Sequence, residues 1–225
     1  MKNRKIWVML VGLFTALTSG FMGTTLTFAE ENEASQTIEQ PSYISDFPNQ
    51  VGHWQDLVGT AEKKNDSAGL WIANTKQGTN LESVSINLDA REQSSGDLEL
   101  TFLYEGQSNF GLVFRGDKQK TSQWQSFAYN RDGRWQLGQP GGKWLTNIPG
   151  PTLLSGQQYK LLVRYDGKKI QTFLNDQLFY ENEEVHYPDG TSINDDWTGA
   201  VGIRLFGNLS KLNIISMKSG SVGSI

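Results

Sequence analysis

Beyond Val51 the chain alternates apolar and polar positions with a period of two. This is the pattern of strands with one buried face. It predicts strands over Trp54 to Thr60, Gly69 to Asn74, Glu82 to Leu88, Asp97 to Tyr104, Phe110 to Arg115, Gln123 to Arg131 and Arg134 to Leu137. Further strands are predicted over Lys143 to Thr146, Gln158 to Tyr165, Lys169 to Leu174, Gln177 to Tyr180, Ala200 to Phe206 and Lys211 to Met217. Asp132-Gly133, Asp166-Gly167 and Asn175-Asp176 each suit a tight hairpin turn. No stretch holds a helical period over three turns, and no internal repeat is visible. About thirteen short strands with frequent turns imply an all-β fold, a two-sheet antiparallel β-sandwich of the jelly-roll type. Inward positions are Tyr159, Leu161, Val163 and Tyr165, then Ile170, Thr172 and Leu174, then Val201, Ile203 and Leu205.

The segment Gly96 to Arg131 carries the clearest pattern. Leu98, Leu100 and Phe102 alternate with Glu99, Thr101 and Leu103, and Phe110, Leu112 and Phe114 with Gly111, Val113 and Arg115. The polar run Glu105 to Asn109 reads as a hairpin loop. Centring that hairpin on Gln107 sets Phe102 opposite Leu112, Leu100 opposite Phe114, and Glu99 opposite Arg115 on the non-core face. The ordinary reading of that last pair is a cross-strand salt bridge of ~0.2–1 kcal/mol. The functional reading is a carboxylate and a guanidinium that bind hydroxyl groups, on a surface kept open by Thr101, Gly111 and Val113. Asp117, just after Arg115, would add a second acid at the rim.

Composition narrows the class. The chain has 225 residues, 37% hydrophobic and 20% charged, with 24 Gly and no Cys. Lys2, Arg4 and Lys5, the apolar stretch Ile6 to Met22 and Thr27-Phe28-Ala29 predict a secretory signal peptide over residues 1–29. An uncleaved anchor is the rival reading; Thr15, Thr18, Ser19 and Gly20 interrupt the apolar run and disfavour it. Cleavage removes three positive charges and no acids, taking the net charge from −4 to −7. An acidic chain is a poor partner for nucleic acid or an anionic membrane surface. A secreted, extracellular domain is expected, with no insertion into a membrane after cleavage. Residues 30–48 read as a flexible linker, 49–220 as the sandwich and 221–225 as a tail. Without disulfides, stability must come from the core.

Six tryptophans follow the signal. Trp71 and Trp135 read as core, Trp135 facing Asn130 across the Asp132-Gly133 turn. Trp144 and Trp197 lie in loops beside amides and charges. Sugars present an apolar C–H face and a ring of hydroxyls, so an aromatic plane beside carboxylates and amides can hold both. Tyr129, Trp144 and Trp197 are therefore stacking candidates, and Asp117 and Asp196 rim acceptors. Enzyme signals are weak. The Glu-x-Asp-x-x-Glu strand of β-sandwich glucanases is absent; Asp97 and Glu99 share a strand face without a third acid. No Gly-x-Ser-x-Gly, Cys nucleophile or phosphate loop occurs. His53 and His186 lie far apart in sequence. No cofactor is expected. Asp189 to Asp196 supplies enough oxygens for Ca²⁺ without matching an EF-hand, and a solvated loop is its plain alternative.

GDLELTFLYEG, FGLVFRG and WQSFAYNRDGRWQL together resemble the concanavalin-A-like lectin and glucanase superfamily. Within it the chain looks like the family-66 carbohydrate-binding modules of bacterial fructan-degrading enzymes. The closing strands GQQYKLLVRYDGKKIQTFLNDQLFYE and TGAVGIRLFGNLSKLNIISM extend the likeness over roughly Val51 to Lys218. The resemblance implies a non-catalytic domain that binds a terminal sugar in a shallow pocket, with Glu99 and Arg115 as hydrogen-bonding positions. The expectation is a stand-alone carbohydrate-binding domain for a polysaccharide or glycan, fructan included, in which Arg115→Ala abolishes binding and spares the fold. Two alternatives remain: a glycan-active hydrolase using Glu99 with Asp97 or Asp117, and a protein-binding adhesin or structural domain.

Overall fold

A computed structural model describes residues 43–45, 53–67, 69–74 and 81–225, the first three by backbone alone. The predicted signal peptide and most of the predicted linker lie outside the described residues. Among those described there is no α-helix, and no helix long and apolar enough to cross a membrane. There are fifteen strands. They are β1 (Tyr43–Ser45), β2 (Trp54–Val58), β3 (Glu62–Asp66), β4 (Gly69–Ala73), β5 (Glu82–Asn87), β6 (Gly96–Tyr104), β7 (Asn109–Gly116) and β8 (Gln125–Tyr129). They continue with β9 (Trp135–Gln139), β10 (Lys143–Ile148), β11 (Gln157–Asp166), β12 (Lys169–Leu174), β13 (Gln177–Asn182), β14 (Ala200–Phe206) and β15 (Lys211–Gly220).

The strands form two antiparallel sheets, as the alternation predicts. One runs β13-β12-β11-β6-β15-β4-β3, with β1 also on β15; the other runs β10-β9-β8-β7-β14-β5-β2. The expected inward positions are buried: Leu161, Val163, Tyr165, Ile170, Thr172 and Leu205 are wholly inaccessible, and Val201 and Ile203 nearly so. The core is aromatic. Phe102 and Phe110 meet edge to face with centroids 4.8 Å apart, Phe114 stacks on Tyr165 at 4.8 Å, and Phe127 on Trp135 at 5.6 Å. Each such ring contributes about 1.5–3 kcal/mol by leaving water. Among the described hairpins, Asn175 and Asp176 turn with φ of 50° and 66°, the left-handed pair a two-residue loop requires.

The structure corrects four expectations. β6 and β7 are not a hairpin: β6 pairs with β11 and β15, β7 with β8 and β14. The run Glu105–Ser108 crosses from one sheet to the other, so Phe102 faces Phe110 across the core and Glu99 does not face Arg115. Trp135 pairs with Tyr129 rather than Asn130, because the turn spans Asn130 to Arg134; the indole is core, as expected. Tyr43–Ser45, placed in the linker, pairs with Met217–Ser219 of β15. The tail is held: the N–H groups of Gly223 and Ile225 donate to Asp97 Oδ2 at 3.0 and 3.4 Å.

Candidate functional site

On β7 the side chains of Phe110, Leu112 and Phe114 fill the core, so Gly111 and Val113 face outward. Cross-strand register places Ser126 and Ala128, Gly138, Trp144, then Gly202, Arg204 and Phe206, and Glu82, Val84 and Ile86, on that same outer face of the seven-stranded sheet. Its floor is made of small residues: Gly111, Ser126, Ala128, Gly138 and Gly202. Trp144 on β10 and Arg204 on β14 are four strands apart, about 19 Å on a flat sheet. Yet the guanidinium carbon of Arg204 lies 4.2 Å from the Trp144 ring centroid. The sheet therefore curves toward this face, and both side chains lie across its floor. Gly138 is what lets the indole lie there: a Cβ at that position would sit 2.1 Å from Trp144 Cε3.

Arg204 is gripped by aromatic rings. Its guanidinium carbon is also 4.2 Å from the Phe206 centroid and 5.5 Å from that of Trp124. Arg204 Nε donates to Glu82 Oε1, which remains partly open to solvent. Nη1 is buried and has no hydrogen-bond partner. Burial pushes the Arg204 pKa below the usual arginine range, and Glu82 draws it back up. Leaving a buried donor unpaired costs about 1–3 kcal/mol. The ring contacts offset part of that cost. A cavity of about 370 Å³, lined by Leu81, Glu82, Arg204, Phe206 and Gly207, opens beside the guanidinium. The cluster joins aromatic planes to a charge-neutral donor–acceptor pair, which is what a sugar's apolar face and hydroxyls demand.

The residues singled out from sequence do not converge on one place. Trp144 lies in the cluster just described. Glu99 lies on the outer face of the other sheet, 3.2 Å from Lys218 Nζ. Arg115 is fully buried at one end of the sandwich. Its φ of +55° breaks the alternation that would have aimed it outward. The guanidinium donates to Ser94 O, Gln125 Oε1, Asn194 O and Gly167 O at 2.7, 2.9, 3.3 and 2.7 Å, and lies over Tyr165 at 5.3 Å. It ties three loops together. Tyr129 is a core residue, 1% exposed, whose hydroxyl accepts from Leu153 N–H; its ring has no free face for stacking. Asp117 accepts from Gln119 N–H and pairs with Lys120 Nζ at 3.0 Å, contacts that hold its carboxyl below the usual range. Asp196 and Trp197 sit in the exposed loop before β14, where Asp196 N–H donates to Asn194 Oδ1. Within the oxygen-rich run, Asp189 Oδ1 already accepts from Thr191 N–H and Oγ1–H. Asp97, the acid a hydrolytic reading would pair with Glu99, is fully buried and takes both Arg164 Nε and Nη2 at 2.7 and 2.8 Å. Sequence reasoning missed Arg204, Glu82, Phe206 and Trp124. The signal existed: with Val201, Ile203 and Leu205 inward, Arg204 and Phe206 must share the opposite face.

No family model matches the chain. It is 99% identical over all 225 residues to a hyaluronate lyase of Enterococcus faecalis, and it spans 22% of that relative's length. Among solved structures, a Bacillus subtilis protein of unknown function with a galectin-like fold is similar with a TM-score of 0.59 and 13% identity, over 81% of this chain and 97% of the other. A family-66 carbohydrate-binding module of Bacillus subtilis is similar with a TM-score of 0.48 and 16% identity, over 71% and 94%. The fold is thus that of the galectin-like and concanavalin-A-like sandwiches.

Proposed function

We propose that this chain is a non-catalytic carbohydrate-binding module of a longer, exported glycan-degrading polypeptide, and that it holds a saccharide on the curved face around Arg204. One observation carries the proposal: the Arg204 guanidinium clamped between Trp144 and Phe206 over a small-residue floor, with Glu82 beside it. The 99% identical relative, about four and a half times longer on the 22% coverage, favours a module over the stand-alone domain expected from the sequence. Its name also directs attention from fructan to hyaluronate, a polyanion of alternating uronate and N-acetylhexosamine. The net charge of −4 gives no general attraction for a polyanion, so recognition must be local. Because Glu82 neutralises Arg204, the curved face suits the neutral sugar of such a chain. A hydrolytic role finds no support in Asp97, which is locked to Arg164.

The test is a glycan array probed with the whole chain, including hyaluronan, levan, inulin and host glycans, followed by calorimetry. Trp144→Ala and Arg204→Met are each expected to weaken binding about tenfold or more, with no sugar released by the wild type. Unchanged affinity in both variants would remove the curved face as the site. A partner captured equally well in excess free sugar would favour the adhesin reading.

A further inference from the structure

The opposite face of the molecule carries a second aromatic surface. Register sets Lys64 of β3 beside Trp71 of β4, with Asn213 of β15 on its other side; Glu62, Ala73 and Lys211 share that outer face. These five residues other than Asn213 line a cavity of about 270 Å³. Trp71 is half-buried, and Ala73 leaves the space beside its ring open. Lys211 Nζ lies 4.9 Å from the Trp71 centroid. The charged groups around the ring are Lys64, Lys211 and Glu62, together with Glu105, which pairs with Lys211. Lys64 makes no ion pair among the described residues. Asn213 is 2% exposed, and its Oδ1 is buried without a hydrogen-bond partner.

We propose that Trp71 is the platform of a second saccharide site, and that this site takes a uronate-bearing sugar. The ring accepts the C–H face of the sugar, and Lys64 and Lys211 on either side accept its carboxylate. The lining is cationic by one charge, two lysines against one glutamate, in a chain that is acidic overall. The curved face differs in this respect, since Arg204 there is matched by Glu82. The two platforms lie on the outer faces of opposite sheets, separated by two sheet layers about 10 Å apart and by their side chains. A short oligosaccharide cannot reach both, so each binds its own copy, and a long polysaccharide is gripped twice or cross-linked. This inference rests on the saccharide-binding reading above.

Calorimetry of the intact chain with a hyaluronan hexasaccharide tests it. Wild type should bind two hexasaccharides. Trp71→Ala should bind one, with an affinity that barely changes with salt. Arg204→Met should also bind one, weakened by about tenfold between roughly 0.05 and 0.5 M NaCl. Lys64→Ala/Lys211→Ala should behave as Trp71→Ala, and carboxyl-reduced hexasaccharide should bind wild type once. Unchanged far-ultraviolet circular dichroism excludes misfolding of each variant. Two sites in Trp71→Ala, or equal binding of the carboxyl-reduced sugar at both sites, would overturn the second site and leave the first standing. No binding by wild type would overturn both.

Discussion

Two arginines set the contrast at the scale of single residues. Both are buried, yet Arg115 gives its donors to four fixed acceptors, whereas Arg204 keeps Nη1 unpaired and lies between rings. The first arrangement is a joint and the second is a surface held ready for a ligand. Arg115→Ala should therefore lower stability by about 3 kcal/mol or more, because four acceptors lose a charged donor in a dry site. Chemical denaturation checks this, and a fully stable Arg115→Ala that fails to bind sugar would restore the role expected from sequence. A smaller effect belongs to Asp117. Its folded pKa lies below the ordinary carboxylate value of about 3.9. Its contribution is present above that value and fades as pH falls through the folded pKa. Asp117→Ala should cost about 0.5–1.5 kcal/mol at pH 6, measured by urea denaturation, and the gap to wild type should close near pH 2.5. A gap that persisted in acid would show that packing, not charge, holds the turn. Alternation gave the faces of most residues correctly. It failed at Arg115 because a single left-handed residue turns the side chain to the other side, and a binary pattern does not record φ.

At the scale of elements, the strands were legible and their partners were not. The alternation in β6 and β7 says that each has an apolar face, and both do. A loop of four polar residues serves equally for a hairpin and for a crossing between facing sheets, so the pattern left the sheet of each strand open. β3 was missed for a different reason. Glu62-Lys63-Lys64-Asn65 is a polar edge strand whose one inward lysine, Lys63, pairs with Asp56 at 2.5 Å, so no apolar residue marks it. The curved face depends on its floor in the same way. Gly138→Val would drive the Trp144 indole off β9, since a Cβ already falls 2.1 Å from the ring. That variant should lose saccharide affinity about as far as Trp144→Ala does. Its thermal midpoint should fall by only a few degrees, because the displaced ring lies outside the core. A Gly138→Val protein with wild-type affinity would mean that the indole position is not used.

Across the whole molecule, the two sheets divide the tasks. Their facing sides supply an aromatic core that stands without disulfides. Their outer sides differ: one is curved, small-floored and neutral at Arg204, the other carries Trp71 between lysines. A module with this layout suits a polysaccharide of alternating neutral and acidic sugars better than its net acidic charge alone suggests.

The claim that the curved face holds the saccharide is tested most directly by ¹H–¹⁵N NMR of the intact chain titrated with a hyaluronan hexasaccharide, following the indole N–H groups. The account predicts shifts at Trp124 and Trp144, with Trp135 in the core unmoved. Shifts confined to Trp197 and the loop around Asp196, with Trp124 and Trp144 still, would contradict it and move the site to the end of the sandwich.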